Sequence, residues 1–287
     1  MILYIYVVFC KKVRGGFMLI DTHVHIGEMI GFNMPEEMVL ESMKKYNIDY
    51  SLVSNIQSAE YDHNLNVIPK ELQVSQVESL ERSLRFARNN KDKIGVLHWI
   101  KPAFEKVDER LENIIKENLD VIFGIKVHPY NSKTSVDSPK MKSYIELAEK
   151  YNLPIVAHTG GSEEADSIHV YNAAKMYPNV NFVMVHLGLG TDNKESIKLL
   201  GKADNIYGDT TWVPMNHIID AVKEFGSEKI LFGSDNPIDG VDTYHNNPKG
   251  DISIYQDYFN NFQDTIGSES YNNIMYKNAI KLFKLDR

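Results

Sequence analysis

Eight short apolar runs, separated by stretches in which apolar residues recur every three or four positions, leave this chain few folds to choose from. The runs are Phe17–Ile20, Tyr50–Ser54, Ile94–Leu97, Val121–Val127, Pro154–Ala157, Val180–Val185, Asn205–Tyr207 and Lys229–Phe232. Most are continuous rather than alternating, as in parallel strands covered on both faces. Asn205–Tyr207 is the weakest of them. Between the runs, Val77, Leu80, Leu84 and Ala87 step by three and four, as do Val107, Leu111 and Ile114, and Ile218, Ile219, Val222 and Phe225 form another stripe. Ser138-Pro139 offers a hydroxyl cap followed by proline at a first helical position, and Pro35-Glu36-Glu37 places acids in a first turn. Ile274, Ala279, Leu282 and Phe283 predict one extra C-terminal helix. Strict alternation of strand and helix over 287 residues fits a closed (β/α)8 TIM barrel, a fold that takes about 250 residues. No linker or repeat divides the chain. Residues 18–287 are therefore expected to form a single domain, and residues 1–17 an upstream extension without a catalytic role.

Composition narrows the partners. The formal net charge is −8, so the long-range field repels phosphate backbones, and nucleic-acid binding is not expected. The opening run Met1–Phe9 is apolar but far short of the ~20 residues that span a bilayer. It has no basic segment before it and no small-residue cleavage site, so it does not resemble a signal peptide. A short membrane-associating tail is the competing reading of this segment. The single cysteine, Cys10, allows no internal disulfide, which suits a reducing compartment, and a cytoplasmic protein is expected. The two longest candidate loops, Gln57–Leu72 and Asp239–Gly250, both follow strands. Both should lie at the C-terminal face, where barrels build their sites.

Five of the apolar runs end in metal-type ligands or their neighbours. They read Ile20-Asp21-Thr22-His23-Val24-His25, Gly124-Ile125-Lys126-Val127-His128, Ile155-Val156-Ala157-His158-Thr159-Gly160, Met184-Val185-His186-Leu187-Gly188 and Leu231-Phe232-Gly233-Ser234-Asp235-Asn236-Pro237. His23 and His25 are two apart, so an extended strand projects both imidazoles to one side. His158 comes from another strand and Asp235 from the last. Three neutral imidazoles and one carboxylate suit zinc or a neighbouring divalent ion, with room for water. An isolated His-x-His pair is usually coincidence, and a lone buried histidine is more often a hydrogen-bonded core residue. Recurrence at separate strand ends is what core histidines do not explain. His128 shares a side with Lys126 and either lines the pocket or orients the lysine. His98 and Trp99, ending the third run, are candidates for substrate contact, and Asp209 is a weaker one. His63 and His245 fall in the long loops as solvated side chains, and His169 and His217 on helices as structural ones.

The ordered set from Ile20-Asp21-Thr22-His23-Val24-His25-Ile26-Gly27 through Ala157-His158-Thr159-Gly160 and Val185-His186-Leu187-Gly188 to Phe232-Gly233-Ser234-Asp235-Asn236-Pro237 resembles the amidohydrolase superfamily. Within it, the chain is similar to the amidohydrolase-related branch that includes aminocarboxymuconate semialdehyde decarboxylase. The resemblance covers residues 18–285. It implies a TIM barrel of the metal-dependent hydrolase type, with an ion at His23, His25, His158 and Asp235. It also implies that His186 polarises substrate or moves a proton, and that Asp235 both binds the ion and accepts a proton from its water. One divalent ion is expected, zinc first, with manganese or iron as alternatives. In binuclear members a lysine at the position of Lys126 is carboxylated and bridges two ions. The branch generally works with one, so an unmodified Lys126 is the favoured reading. Barrels of this branch often pair, which makes a homodimer an expectation.

The leading functional expectation is hydrolysis of a C–N or C–O bond in a small polar molecule, an amide, ester or lactone, by water whose pKa a divalent ion lowers to about 7. Its alternative is a lyase reaction on the same scaffold, non-oxidative decarboxylation of a small carboxylic acid. A phosphoesterase of the histidinol-phosphatase type also opens with His-x-His but closes with Asp-x-His, where this chain has Asp235-Asn236-Pro237. The non-enzyme reading is a barrel retained as a binding protein.

Overall fold

The computed structural model describes residues 18–238 and 258–285. The expected extension 1–17 with Cys10, the start of the first apolar run at Phe17, and the loop 239–250 with His245 lie outside the described residues.

Nine strands form one sheet in the order β2-β1-β3-β4-β5-β6-β7-β8-β9. They are β1 (Ile20–Met29), β2 (Phe32–Met34), β3 (Tyr50–Asn55), β4 (Ile94–Trp99), β5 (Ile122–Val127), β6 (Ile155–Gly160), β7 (Phe182–Leu189), β8 (Ile206–Asp209) and β9 (Ile230–Leu231). All neighbours are parallel except the β1–β2 hairpin. The sheet closes on itself: Thr22 N–H donates to Phe232 O at 3.0 Å, Asp235 N–H to His23 O at 2.9 Å and His25 N–H to Asn236 O at 2.8 Å. The eight parallel strands are thus a barrel.

The first strand departs from expectation. It begins at Ile20 and runs to Met29, because pairing with β3 continues through His25↔Ser54 and Ile26↔Asn55. The His-x-His pair therefore lies within a strand rather than beyond its end. Past Ile26 the chain folds back as β2 around Gly31, whose φ of +87° suits glycine. The weak seventh run also shifts, to Ile206–Asp209, which brings Asp209 to a strand end.

The helices follow the periodic stretches. They are α1 (Glu36–Tyr46), α2 (Gln76–Asn89), α3 (Glu109–Glu117), α4 (Lys142–Tyr151), α5 (Ser167–Met176), α6 (Lys194–Leu200) and α7 (Met215–Phe225). Ser138 caps a short 3-10 turn, Pro139–Met141, that leads into α4. The C-terminal helix is in pieces: α8 (Phe262–Asn272) carries a non-helical Gly267, a π-helical turn spans Asn273–Lys277, and α9 (Asn278–Phe283) ends it. No helix among the described residues is long and apolar enough to cross a membrane.

Strand alternation sorts the core into two compartments. Val53, Val96, Ile125, Ala157, Met184, Ile206 and Ile230 face outward and pack under the helices. Leu52, Leu97, Phe123, Val156, Val183, Val185 and Leu231 fill the barrel, where Ala279, Leu282, Phe283 and Leu285 join them. The last two groups share that cluster with Ile20 and Tyr50, at strand starts, so the C-terminal helix plugs the bottom of the barrel. Polar side chains are left for the opposite end.

Candidate metal centre

Three side chains converge at the top of the barrel. His23 and His25, two apart on β1, bring their Nε2 atoms to 3.0 Å of one another. Asp235 Oδ1 lies 2.9 Å from His25 Nε2 and 3.4 Å from His23 Nε2. All three residues are buried. Gly233 makes the approach possible, since a Cβ there would stand 2.6 Å from Thr211 Oγ1 and 3.0 Å from His23 Cβ.

Each of the two rings has a hydroxyl partner at Nδ1. Thr211 Oγ1–H donates to Asp209 Oδ2 at 2.8 Å, so at 3.2 Å it accepts from His23 Nδ1–H. Ser54 Oγ–H points to Val24 O at 3.4 Å and accepts from His25 Nδ1–H at 2.9 Å. In the tautomer that protonates Nδ1, each imidazole would donate away from the centre and offer its Nε2 lone pair to an ion there. Asp235 is ionised: burial alone would raise its pKa, but His23 and His25 hold it well below the usual carboxylate range. Burial and then Lys126 keep His23 neutral, far below the usual histidine value. In that tautomer, two nitrogen lone pairs and a carboxylate oxygen so close would repel one another unless a cation sat among them. Ligands about 2.0–2.2 Å from an ion lie roughly 2.8–3.6 Å apart in octahedral or tetrahedral sites, which matches the observed spacings.

Trp212 Nε1–H donates to the other carboxylate oxygen, Asp235 Oδ2, at 2.8 Å. Lys126, fully buried, reaches His23 Nε2 with Nζ at 3.1 Å; burial pushes its pKa down to about 8, with Asp235 and Asp209 opposing. Asp209 also accepts His186 N–H at 2.8 Å, and His186 Nδ1–H donates to Thr211 O at 3.2 Å. Asp21 Oδ1 accepts His23 N–H at 3.2 Å and its Oδ2 accepts Ser234 Oγ–H; burial raises this carboxyl to about 7.

The remaining candidates form the rest of the wall. Ring contacts run without a break from His23 to His25 (4.8 Å), Trp99 (5.6 Å), His128 (5.2 Å), His158 (3.8 Å), His186 (4.7 Å) and back to His23 (5.2 Å). His128 and Trp99 are stacked almost flat, 9° apart, and His128 on His158 at 15°. His128 Nδ1 accepts Asn131 N–H at 3.3 Å, starting the one-turn helix Pro129–Ser132. His158 Nε2–H donates to Gly160 O at 3.2 Å, and this ring lies against His128 and His186, not among the atoms that converge. His98 goes the other way. It neighbours Ile125 in register and shares the outward face of Val96. Its Nε2 has no partner among the described residues, and burial pushes its pKa down to about 3. His169 pairs with Asp137 at 2.9 Å, and His217 Nδ1 with Asn193 Oδ1 at 2.8 Å.

Sequence reasoning missed Ser54, Thr211 and Trp212. Hydroxyls are too common to flag, but a tryptophan three residues past a strand-end aspartate was a usable signal. Three non-glycine residues of this region, His186, Trp212 and Asp235, have φ of +68°, +56° and +67°. Backbone strain of that kind gathers at functional sites.

A family model described as amidohydrolase matches residues 20–285. No curated protein matches the chain. Among solved structures, 5-carboxyvanillate decarboxylase from Sphingomonas paucimobilis is similar with a TM-score of 0.66 at 13% identity, covering 94% of this chain and 99% of that one. Dihydroxybenzoic acid decarboxylase from Polaromonas sp. JS666, with bound manganese and the inhibitor 2-nitroresorcinol, gives 0.65 at 14% identity, with 95% and 98% covered. A probable 2-pyrone-4,6-dicarboxylic acid hydrolase from Acinetobacter baumannii, with citric acid bound, gives 0.62 at 13% identity, with 93% and 99% covered. At such identities the likeness establishes the barrel.

Proposed function

The chain belongs to the amidohydrolase family, and from that premise we propose that it is a metal-dependent enzyme that removes carbon dioxide from a small aromatic carboxylic acid. The observation that carries this reading is the state of Asp235. Its Oδ1 faces the two imidazole Nε2 atoms, while its Oδ2 is taken by the Trp212 indole. A carboxylate held in this way serves as a permanent anionic ligand. Hydrolysis would require it to take up a proton from attacking water, which the indole donor opposes.

His23, His25 and Asp235 would hold the ion, with His158, which touches the His186 ring beside His23, as the fourth ligand. One ion is proposed, since the described residues offer one such cluster, and manganese joins zinc as a first choice because a similar decarboxylase carries it. When bound, the ion supplies a Lewis-acidic anchor for the oxygens of the substrate acid. The chain's own groups do the rest. The continuous aromatic wall suits a flat substrate, and Lys126 places a buried cation for an acid group. His186, with Nδ1–H tied to Thr211 O, has Nε2 left to take a proton and return it to the carbon that loses carbon dioxide. Solved decarboxylases of carboxyvanillate and dihydroxybenzoic acid share this barrel, which supports an aromatic acid as substrate.

Hydrolysis is the second reading, favoured by the likeness to the probable pyrone dicarboxylic acid hydrolase. There Asp235 would accept the proton of the attacking water and His186 would polarise the scissile group. Hydroxybenzoic and carboxyvanillic acids, assayed for carbon dioxide release beside panels of lactones, esters and amides, separate the two. Carbon dioxide evolution without hydrolytic turnover is expected; turnover of a lactone or ester alone would overturn decarboxylation.

A further inference from the structure

We propose that Trp212 is a positioning residue that makes Asp235 a one-oxygen ligand, and that the turn carrying it sets the geometry of the whole centre. The inference rests on the metal reading above. After β8 the chain makes a tight turn, closed by Val213 N–H to Thr210 O at 3.1 Å, with Trp212 in the left-handed region. That conformation is strained for a bulky residue, and the surrounding structure has to enforce it. Here it does. Thr210 N–H donates to Leu231 O at 3.0 Å, Thr211 is bonded twice to Asp209, and Tyr258 O–H donates to Val213 O at 3.1 Å.

What the turn delivers is orientation of three site residues from two consecutive positions. Thr211 receives His23 Nδ1–H on its hydroxyl and His186 Nδ1–H on its carbonyl. Trp212 donates its indole proton to Asp235 Oδ2. A carboxylate free to rotate could offer both oxygens to an ion. With Oδ2 held, Oδ1 alone faces His23 and His25. Asp235 is itself in the left-handed region, so two strained residues meet in one hydrogen bond.

The chain has two tryptophans, and both adjoin the ligands: Trp212 bonds Asp235, and the Trp99 ring lies 5.6 Å from His25. Tryptophan emission therefore serves as a direct readout of ion binding. The test strips the full chain with a chelator and titrates Mn2+ or Zn2+ into wild type, Trp212→Phe, Trp212→His and Trp99→Phe, following emission and bound metal together. Wild type and Trp99→Phe should bind one ion with a change in emission. Trp212→Phe should bind about 10–100-fold more weakly, the usual loss for a residue that orients a ligand. Trp212→His, which keeps a ring N–H, should recover part of that loss. Equal affinity in wild type and Trp212→Phe would overturn the proposal while leaving the metal reading intact, and so would Trp212→His binding no better than Trp212→Phe. Wild type that binds no ion would overturn the metal reading and this inference together. Should the variants not fold, the wild-type indole NMR signals decide: the Trp212 proton is expected to shift on adding one equivalent of Zn2+, and an unmoved signal with the ion bound would refute its contact with a ligand.

Discussion

His25 and His98 both sit near the C-terminal ends of parallel strands, both are buried, and they live in different chemistry. His25 faces the barrel axis, with Nδ1–H on Ser54 and Nε2 toward Asp235 at 2.9 Å. His98 faces the helices beside Val96 and Ile125, with Nε2 unpartnered among the described residues. One meets a second imidazole and a carboxylate; the other is kept neutral by burial. The difference teaches that position at a strand end is not enough. Parity along the strand decides, and parity sends Trp99 inward and its neighbour His98 outward.

The comparison can be broken most decisively at Asp235. Asp235→Ala should lower divalent-ion affinity by more than the roughly 100-fold that an orienting residue commands and abolish turnover, whereas His98→Leu should keep one ion per chain by elemental analysis. An ion lost from His98→Leu, or retained by Asp235→Ala, would erase the distinction. Next in size is the orienting layer. Thr211→Val and Ser54→Ala should each weaken the ion by about 10–100-fold, read by chelator competition, because each leaves an imidazole free to choose the wrong tautomer.

The outward histidine is sharpened by pH. His98 has a folded pKa of about 3, below its unfolded value, so the unfolded chain binds more protons as the solution becomes acid. Its contribution is complete above pH 6.5 and is lost as pH falls toward 3. Between pH 6.5 and 5 the loss is about 1.6 kcal/mol, since the slope rises from half to nearly all of 1.36 kcal/mol per unit over that interval. Urea unfolding of wild type and His98→Leu at both values should show a shallower acid slope in the variant, and equal slopes would contradict it. Taking the difference between the two proteins removes the opposite slope of Glu60, which burial raises to about 7. The smallest effect belongs to the exposed rim of the helix layer. Arg88→Ala removes a pair with Asp120 that is well exposed on both sides. It should change stability by no more than about 1 kcal/mol and leave ion binding untouched.

The architecture was legible because parallel strands buried on both faces announce themselves as continuous apolar runs, and the helices between them as stripes. The site was legible in part for the same reason. His23, His25 and Asp235 come together, although the two histidines lie inside β1 rather than past its end, and Lys126 reaches His23. The proton bookkeeping was not legible, since it depends on Ser54 and Thr211, hydroxyls that mean nothing until β1 lies against β3 and β8. Trp212 was passed over because the seventh run is so weakly apolar that its end was misjudged. His98 was grouped with Trp99 although adjacent strand residues point apart.

The backbone bonds that close the barrel involve residues of the ligand set itself: His23 O and His25 N on the first strand meet Asp235 N and Asn236 O near the last. A ribosome therefore releases both imidazoles long before their carboxylate partner exists, and a growing chain has nowhere complete to keep a cation. On the proposed reading, loading must wait until the two ends of the sheet zip together. An ion held there would double as a rivet across that seam, so a chelator should lower the melting temperature as well as silence the chemistry.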